Sequence, residues 1–155
     1  MSKRLLDEVD KSILSWLSRD ARTSNRKIAA ELGVTEGTVR GRIRKMEDDK
    51  LIHITAVTNT DCLPDAMLVF MWIEVEKSSD CDSVAKTLAD LPQIGFVGKM
   101  VGRFDILAIT MVQNALELTE FLHSTISGID GVRKTDCTLG VDFVKHDYSL
   151  SRIVD

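Results

Sequence analysis

The sequence predicts an α+β chain in two parts: three helices, the last two in a helix-turn-helix arrangement, followed by a ferredoxin-like βαββαβ domain. Three observations predict it. Apolar residues recur at helical spacing up to about Asp49 and at strand spacing beyond it. Ser24, Gly33 and Thr35 punctuate the first part as helix caps do. The charge also divides: residues 1–59 hold 12 Lys and Arg against 9 Asp and Glu, net +3, while residues 60–155 hold 8 against 15, net −7. Such an asymmetry suits one part to a polyanion and the other to something else, although charge alone does not separate this from chance variation around neutrality.

The first helix is expected from about Leu5 to Ser18, because Leu6, Val9, Ile13, Trp16 and Leu17 build one apolar stripe. Arg19-Asp20-Ala21-Arg22 breaks the period. A second helix follows the N-cap Ser24 and turns Ile28, Ala29 and Leu32 inward; Gly33 ends it in the left-handed conformation. Thr35 caps a third helix, from Glu36 to about Asp49, buried through Val39, Ile43 and Met46. Two helices crossing steeply need a small residue where they touch, a glycine in the turn and a branched apolar residue where the third settles on the second. Ala29, Gly33 and Val39 meet those demands in order.

The outward face of the third helix carries more information. Opposite Val39 lie Gly37, Thr38, Gly41, Arg44 and Lys45, with Arg40 at the edge and Arg42 on the flank. Between Gly37 and Lys45 there are four cations and no acid. Glycine inside a helix costs about 1 kcal/mol relative to alanine. A structural helix has little use for two of them, whereas a helix that must bring its backbone close to a duplex does. The alternative is a solvated, arginine-rich surface helix. On the functional reading Thr38 and Arg40 read base edges, while Arg42, Arg44 and Lys45 hold phosphates. Ser24, Asn25 and Arg26, together with Thr35, supply donors at helix starts. Glu36 either accepts from a cytosine amino group or simply favours the helix N-terminus.

After Leu51 the pattern changes. Ile52, Ile54 and Ala56 alternate with His53 and Thr55, which predicts a linking strand over 52–62 between a helical domain, 1–51, and a second domain, 63–155. That domain reads as a strand at Ala66–Val75, a short helix through Val84, Leu88 and Leu91, and strands at Phe96–Met100 and Ile106–Val112. Gly102-Arg103-Phe104-Asp105 connects those two strands as a tight hairpin. A second helix carries Leu118, Phe121, Leu122 and Ile126, and a last strand runs from Val132 to Phe143. In this fold both helices cover one face of a four-stranded antiparallel sheet. Met67–Ile73 is apolar at nearly every position, so the open face also wants burial, and a second copy would supply it. A symmetric dimer would pair two recognition helices for half-sites about 34 Å apart.

This order resembles the Lrp/AsnC family of feast/famine transcription regulators over nearly the whole chain. The resemblance is carried by Leu6-Asp7-Glu8-Val9-Asp10-Lys11-Ser12-Ile13-Leu14, Asp20-Ala21-Arg22-Thr23-Ser24-Asn25, Ile28–Thr35 and Arg40–Glu47, and by the glycine-to-aspartate turn Gly102–Asp105. It implies a winged-helix-like DNA-binding domain that binds double-stranded DNA, a linking strand and a ligand-sensing domain that dimerises through its sheet. It further implies assembly of dimers, often to octamers, and an amino-acid effector bound between sensing domains. By position the effector residues would be Met100, Gly102, Arg103, Phe104 and Asp105, with Thr135, Asp136, Thr138, Leu139 and Gly140. Asp105 could meet the effector ammonium or merely stabilise its own hairpin; Arg103 and turn N–H groups could meet the carboxylate. Leu139-Gly140 departs from the bulkier residues that the resemblance implies there, so the resemblance does not carry over pocket size or ligand identity. Effector binding is expected to shift the balance between assemblies with differently spaced recognition helices.

Other classes fit less well. The longest apolar run, Ala66–Ile73, is shorter than the roughly 18–20 residues of a membrane span and is broken by Glu74 and Glu76. The N-terminus lacks an apolar signal core. Cys62, Cys81 and Cys137 suggest neither disulfides nor zinc, and a reducing cytoplasm suits them. No catalytic, cofactor or metal pattern is present, so an enzyme is not expected. The rival is a sirohaem-decarboxylase-like tetrapyrrole enzyme on the same architecture, which needs grouped His or Arg in a cavity; His53, His123 and His146 are scattered. A ligand-binding module with a vestigial DNA-binding half leaves the glycine-and-arginine face unexplained.

Overall fold

A computed structural model describes residues 5–59 and 62–144; the other residues, including His146, Thr60 and Asp61 of the expected link and 145–155 of the expected sensing domain, lie outside them. The chain divides into two compact units between Val57 and Thr58.

In the first unit α1 spans Glu8–Arg19, α2 Asn25–Leu32 and α3 Glu36–Asp48. Each start is fixed by a side chain. Asp7 Oδ1 accepts from Asp10 N at 2.8 Å, Ser24 Oγ from Lys27 N at 3.3 Å, and Thr35 Oγ1 from Thr38 N at 3.1 Å. Because a cap stands outside its helix, α1 begins at Glu8 rather than Leu5, which is exposed. Gly33 sits at φ 66°, the left-handed conformation that ends α2. Ile13, Ile28, Ala29, Val39, Ile43 and Met46 form the core, with Leu6, Val9, Leu32, Val34 and Ile52 against it. Full burial of an aliphatic side chain such as Ile13 or Ile28 stabilises by roughly 1.5–3 kcal/mol. That packing holds helices which would be marginal alone.

Of the expected linking strand, residues 52–59 join no ladder within the chain. Ile52 packs on the first core, while Ile54 and Val57 are exposed. Alternation describes a strand's faces but does not supply the neighbour that satisfies its backbone groups.

In the second unit β1 spans Met67–Val75, α4 Cys81–Ala89, β2 Ile94–Lys99, β3 Ile106–Val112, α5 Ala115–Ser124 and β4 Val132–Gly140. The sheet order is β2-β3-β1-β4 and neighbours are antiparallel, giving the expected βαββαβ α+β domain. Val69, Met71, Ile73 and Val75 of β1 meet Ile106, Ala108 and Val112 of β3 and Val84, Leu88, Phe121 and Ile126 beneath the helices. The opposite face carries Leu68, Phe70 and Trp72, half-buried, beside Leu107, Ile109 and Met111 at the register partners of β3. β4 ends at Gly140 rather than Phe143. A Cβ on Gly140 would lie 2.2 Å from the Phe143 ring, so the chain leaves the ladder and folds that ring back over the glycine. No described helix is long and apolar enough to cross a membrane.

Candidate nucleic-acid interface and effector site

The outer face of α3 is bare by more than composition. A Cβ on Gly41 would meet nothing within 4 Å, and one on Gly37 only Thr35 Oγ1 at 3.8 Å. Packing among the described residues therefore requires neither glycine. The two floor an open depression of about 770 Å³, lined also by Asp7, Asp10, Lys45 and Asp49.

The side chains around this ridge are held in different ways. Thr38 Oγ1 lies 2.9 Å from Thr35 Oγ1, and Arg40 forms an ion pair with Glu36 one turn back. Arg26, Arg44 and Lys45 are exposed and have no hydrogen-bond or ionic partner among the described residues. Ser24 Oγ is engaged as a cap, with Asn25 next to it at the start of α2.

Arg42 departs from the expected phosphate role. Its Nη1 donates to Asp7 Oδ2 at 2.6 Å and to Asp10 Oδ1 at 2.8 Å, tying α3 to the start of α1. The flank position, 300° round from Val39, faces α1 rather than solvent. Hydrogen bonds first to Asp7 and then to Asp10 push the Arg42 pKa up. The Asp7 carboxyl is held low, first by the backbone N–H of Asp10 and then by Arg42. Sequence reasoning missed this clamp. Its only signal was two acids one turn apart opening a basic domain.

Within a single copy of the second unit the ten expected effector residues do not converge. Met100–Asp105 lies at the end of the sheet where β1 finishes: Met100 N donates to Asp105 O at 2.8 Å and Asp105 N to Ile73 O at 3.0 Å. Asp105 Oδ2 accepts from Val75 N at 2.9 Å, so one carboxylate oxygen anchors the loop to β1, the hairpin-stabilising alternative. Gly102 takes φ 145°, which a side chain would strain. Thr135 and Asp136 pair with Ile73 and Trp72 at that same end, but Gly140 pairs with Leu68, about 16 Å away along β1. Alternation splits them as well. Thr135 and Leu139 share the parity of the helix-covered face, and Asp136, Thr138 and Gly140 that of the open face.

One cluster does form. The Arg103 guanidinium lies 5.1 Å from the Phe104 ring centroid, Phe104 is 5.7 Å from Trp72, and Trp72 Nε1 donates to Thr138 Oγ1 at 3.2 Å. Trp72 was visible in the sequence only as one more apolar residue of β1. Asp136, opposite Trp72, is paired with Lys134 at 2.8 Å. Among the described residues no group of three or more His, Cys, Asp or Glu could hold a metal ion.

An AsnC-type helix-turn-helix domain model matches residues 6–47, and a model for an AsnC-type C-terminal dimeric α+β barrel domain matches residues 64–152. A relative from Pyrococcus abyssi, described as an uncharacterised HTH-type transcriptional regulator, is 31% identical over 147 residues, 94% of this chain and 99% of its own. The leucine response regulatory protein of Mycobacterium tuberculosis superposes with a TM-score of 0.81 at 21% identity, covering 92% of this chain and 97% of its own. A transcriptional regulator of Neisseria meningitidis, solved as a complex with L-methionine, gives a TM-score of 0.77 at 19% identity, over 94% of this chain and 96% of its own. These two structures are similar in fold.

Proposed function

The chain belongs to the AsnC-type (Lrp/AsnC) family of helix-turn-helix transcriptional regulators, and from that premise we propose that it is a sequence-specific DNA-binding regulator answering to an amino acid. The observation that carries the DNA half is the pair of glycines on a cationic helix face where packing among the described residues needs neither. Thr38, Arg40 and Glu36 face base edges at the start of α3, and Arg44, Lys45, Arg26, Asn25, Ser24 and Thr35 face the backbone. Arg42 sets how α3 stands on α1. The protein acts as a binding protein, not an enzyme, and works in the cytoplasm with the DNA.

For the effector half, Arg103 and the N–H groups of the Gly102 turn take the amino-acid carboxylate, beside the Phe104–Trp72–Thr138 cluster. Asp105 Oδ1, opposite the oxygen that anchors the loop, meets the ammonium. The neisserial regulator's complex with L-methionine supports an effector of this class. The apolar open face of the sheet joins a second copy, in keeping with the matched domain's description as dimeric, and dimers assemble further, as far as octamers. The effector then shifts the balance between assemblies, and multivalent contact turns a modest shift into a large change in occupancy.

The test is binding to the DNA upstream of the protein's own gene, titrated with salt and repeated with each amino acid alongside gel filtration. Selective binding that weakens steeply with salt and moves with one amino acid is the expected result. Selective binding and assembly unchanged by every amino acid would remove the effector half, and binding no tighter than to random duplex would remove the DNA half.

A further inference from the structure

At the start of α3 a cation and an anion are presented as one unit. Glu36 is the first residue of the helix and Arg40 stands one turn on, its Nη2 donating to Glu36 Oε1. The side chains remain 68% and 44% exposed for Arg40 and Glu36. An exposed pair of this kind does little for stability, so its arrangement is free to serve a partner. Each member has a glycine as its next residue, Gly37 and Gly41, and neither glycine's place is crowded, so the backbone beside the pair can come close to whatever it faces.

The chemistry of the pair selects among the partners a duplex offers. A phosphate would meet Arg40 but be repelled by the carboxylate beside it. In the major groove a G·C pair shows, side by side, the acceptors N7 and O6 of guanine and then the N4 amino donor of cytosine. An arginine fork with a carboxylate next to it is the complement of that order. An A·T pair shows acceptor, donor, acceptor, so the fork meets an amino group at its second position and the carboxylate meets O4. We propose that Glu36 and Arg40 together read one G·C pair in each half-site, with Arg40 on guanine O6 and N7 and Glu36 on cytosine N4. This rests on α3 being the recognition helix, as proposed above.

The experiment selects duplexes from a random pool with the full-length protein, then measures affinities at fixed salt for wild type, Arg40→Ala and Glu36→Gln. Thermal unfolding of both variants verifies that they are folded. Wild type is expected to select a fixed G·C pair per half-site, and its replacement by A·T should weaken binding roughly 5- to 150-fold. Arg40→Ala should abolish that preference at this position alone. Glu36→Gln should lower the ratio of G·C to A·T binding there while leaving the rest of the selected sequence intact. A selected site without such a pair, or one whose preference survives in both variants, would overturn the assignment and leave the regulator standing. Selection of no sequence at all would overturn both.

Discussion

The outer face of α3 and the open face of the sheet both lack a cover among the described residues of their own units, apart from Phe143, whose ring lies 6.3 Å from that of Phe70. They are bare in opposite senses. On α3, glycines stand where side chains would fit, and the cations around them need a polyanion. On the sheet, Phe70, Trp72, Ile109 and Met111 stand where charge would be expected, with Phe96 and Met111 about half exposed, at 50% and 49%. The contrast indicates what each surface asks of its partner: close backbone approach and charge in one case, apolar area in the other.

Five substitutions would break or sharpen that contrast. The largest effect is expected from Phe70→Asp, which places a charge in the centre of the open face. It should dissociate the proposed dimer in sedimentation experiments and lower affinity for a two-half-site duplex by about 100-fold, while a single half-site is bound as before. Next, Gly37→Ala and Gly41→Ala should each raise stability by up to about 1 kcal/mol in denaturant titrations, because alanine favours the helix and packing admits it. The same substitutions should cost about tenfold in DNA affinity where a methyl group meets the duplex. Stability and binding moving together would deny that the ridge exists for DNA.

A smaller effect concerns pH. The Asp7 carboxyl lies below its ordinary value of 3.8, held first by Asp10 N–H and then by Arg42. A carboxyl depressed in the folded state stabilises fully above its unfolded value, and that contribution is lost as pH falls through the folded one. The melting temperature of the first unit should therefore fall on acidification below about pH 4, and Asp7→Asn should flatten that part of the profile. The smallest effect belongs to Lys50, which follows α3 at φ 56°. Lys50→Gly should stabilise by a few tenths to about 1 kcal/mol, read as a small rise in melting temperature with DNA affinity unchanged.

What was legible in the sequence follows from how local each cause is. Ser24, Gly33 and Thr35 act on backbone groups within a turn of themselves, so α2, its stop and α3 could be read directly. β1 was equally plain, because nine residues of near-continuous apolarity admit few alternatives. Arg42 was not legible as a clamp: its partners lie 35 and 32 residues earlier, and a helical wheel shows only that it stands on a flank. The effector residues were scattered for a related reason. Which of Thr135–Gly140 lie near the Gly102 turn depends on the register of β4 against β1, and which face each takes depends on its parity. For residues 52–59 the alternation likewise shows which side chains share a face but not which neighbour, if any, the backbone pairs with, and within the chain there is none.

Gly140 gives the departure at Leu139-Gly140 a different meaning. A glycine leaves space above the ladder, and here the space above Gly140 is occupied by the Phe143 ring, carried on chain that has already left the sheet. Volume missing at one position is returned from three residues further on. The size of that corner can thus be reset by exchanging residue 143, without touching a single strand hydrogen bond, which makes this end of the sheet an adjustable fitting on a fixed frame.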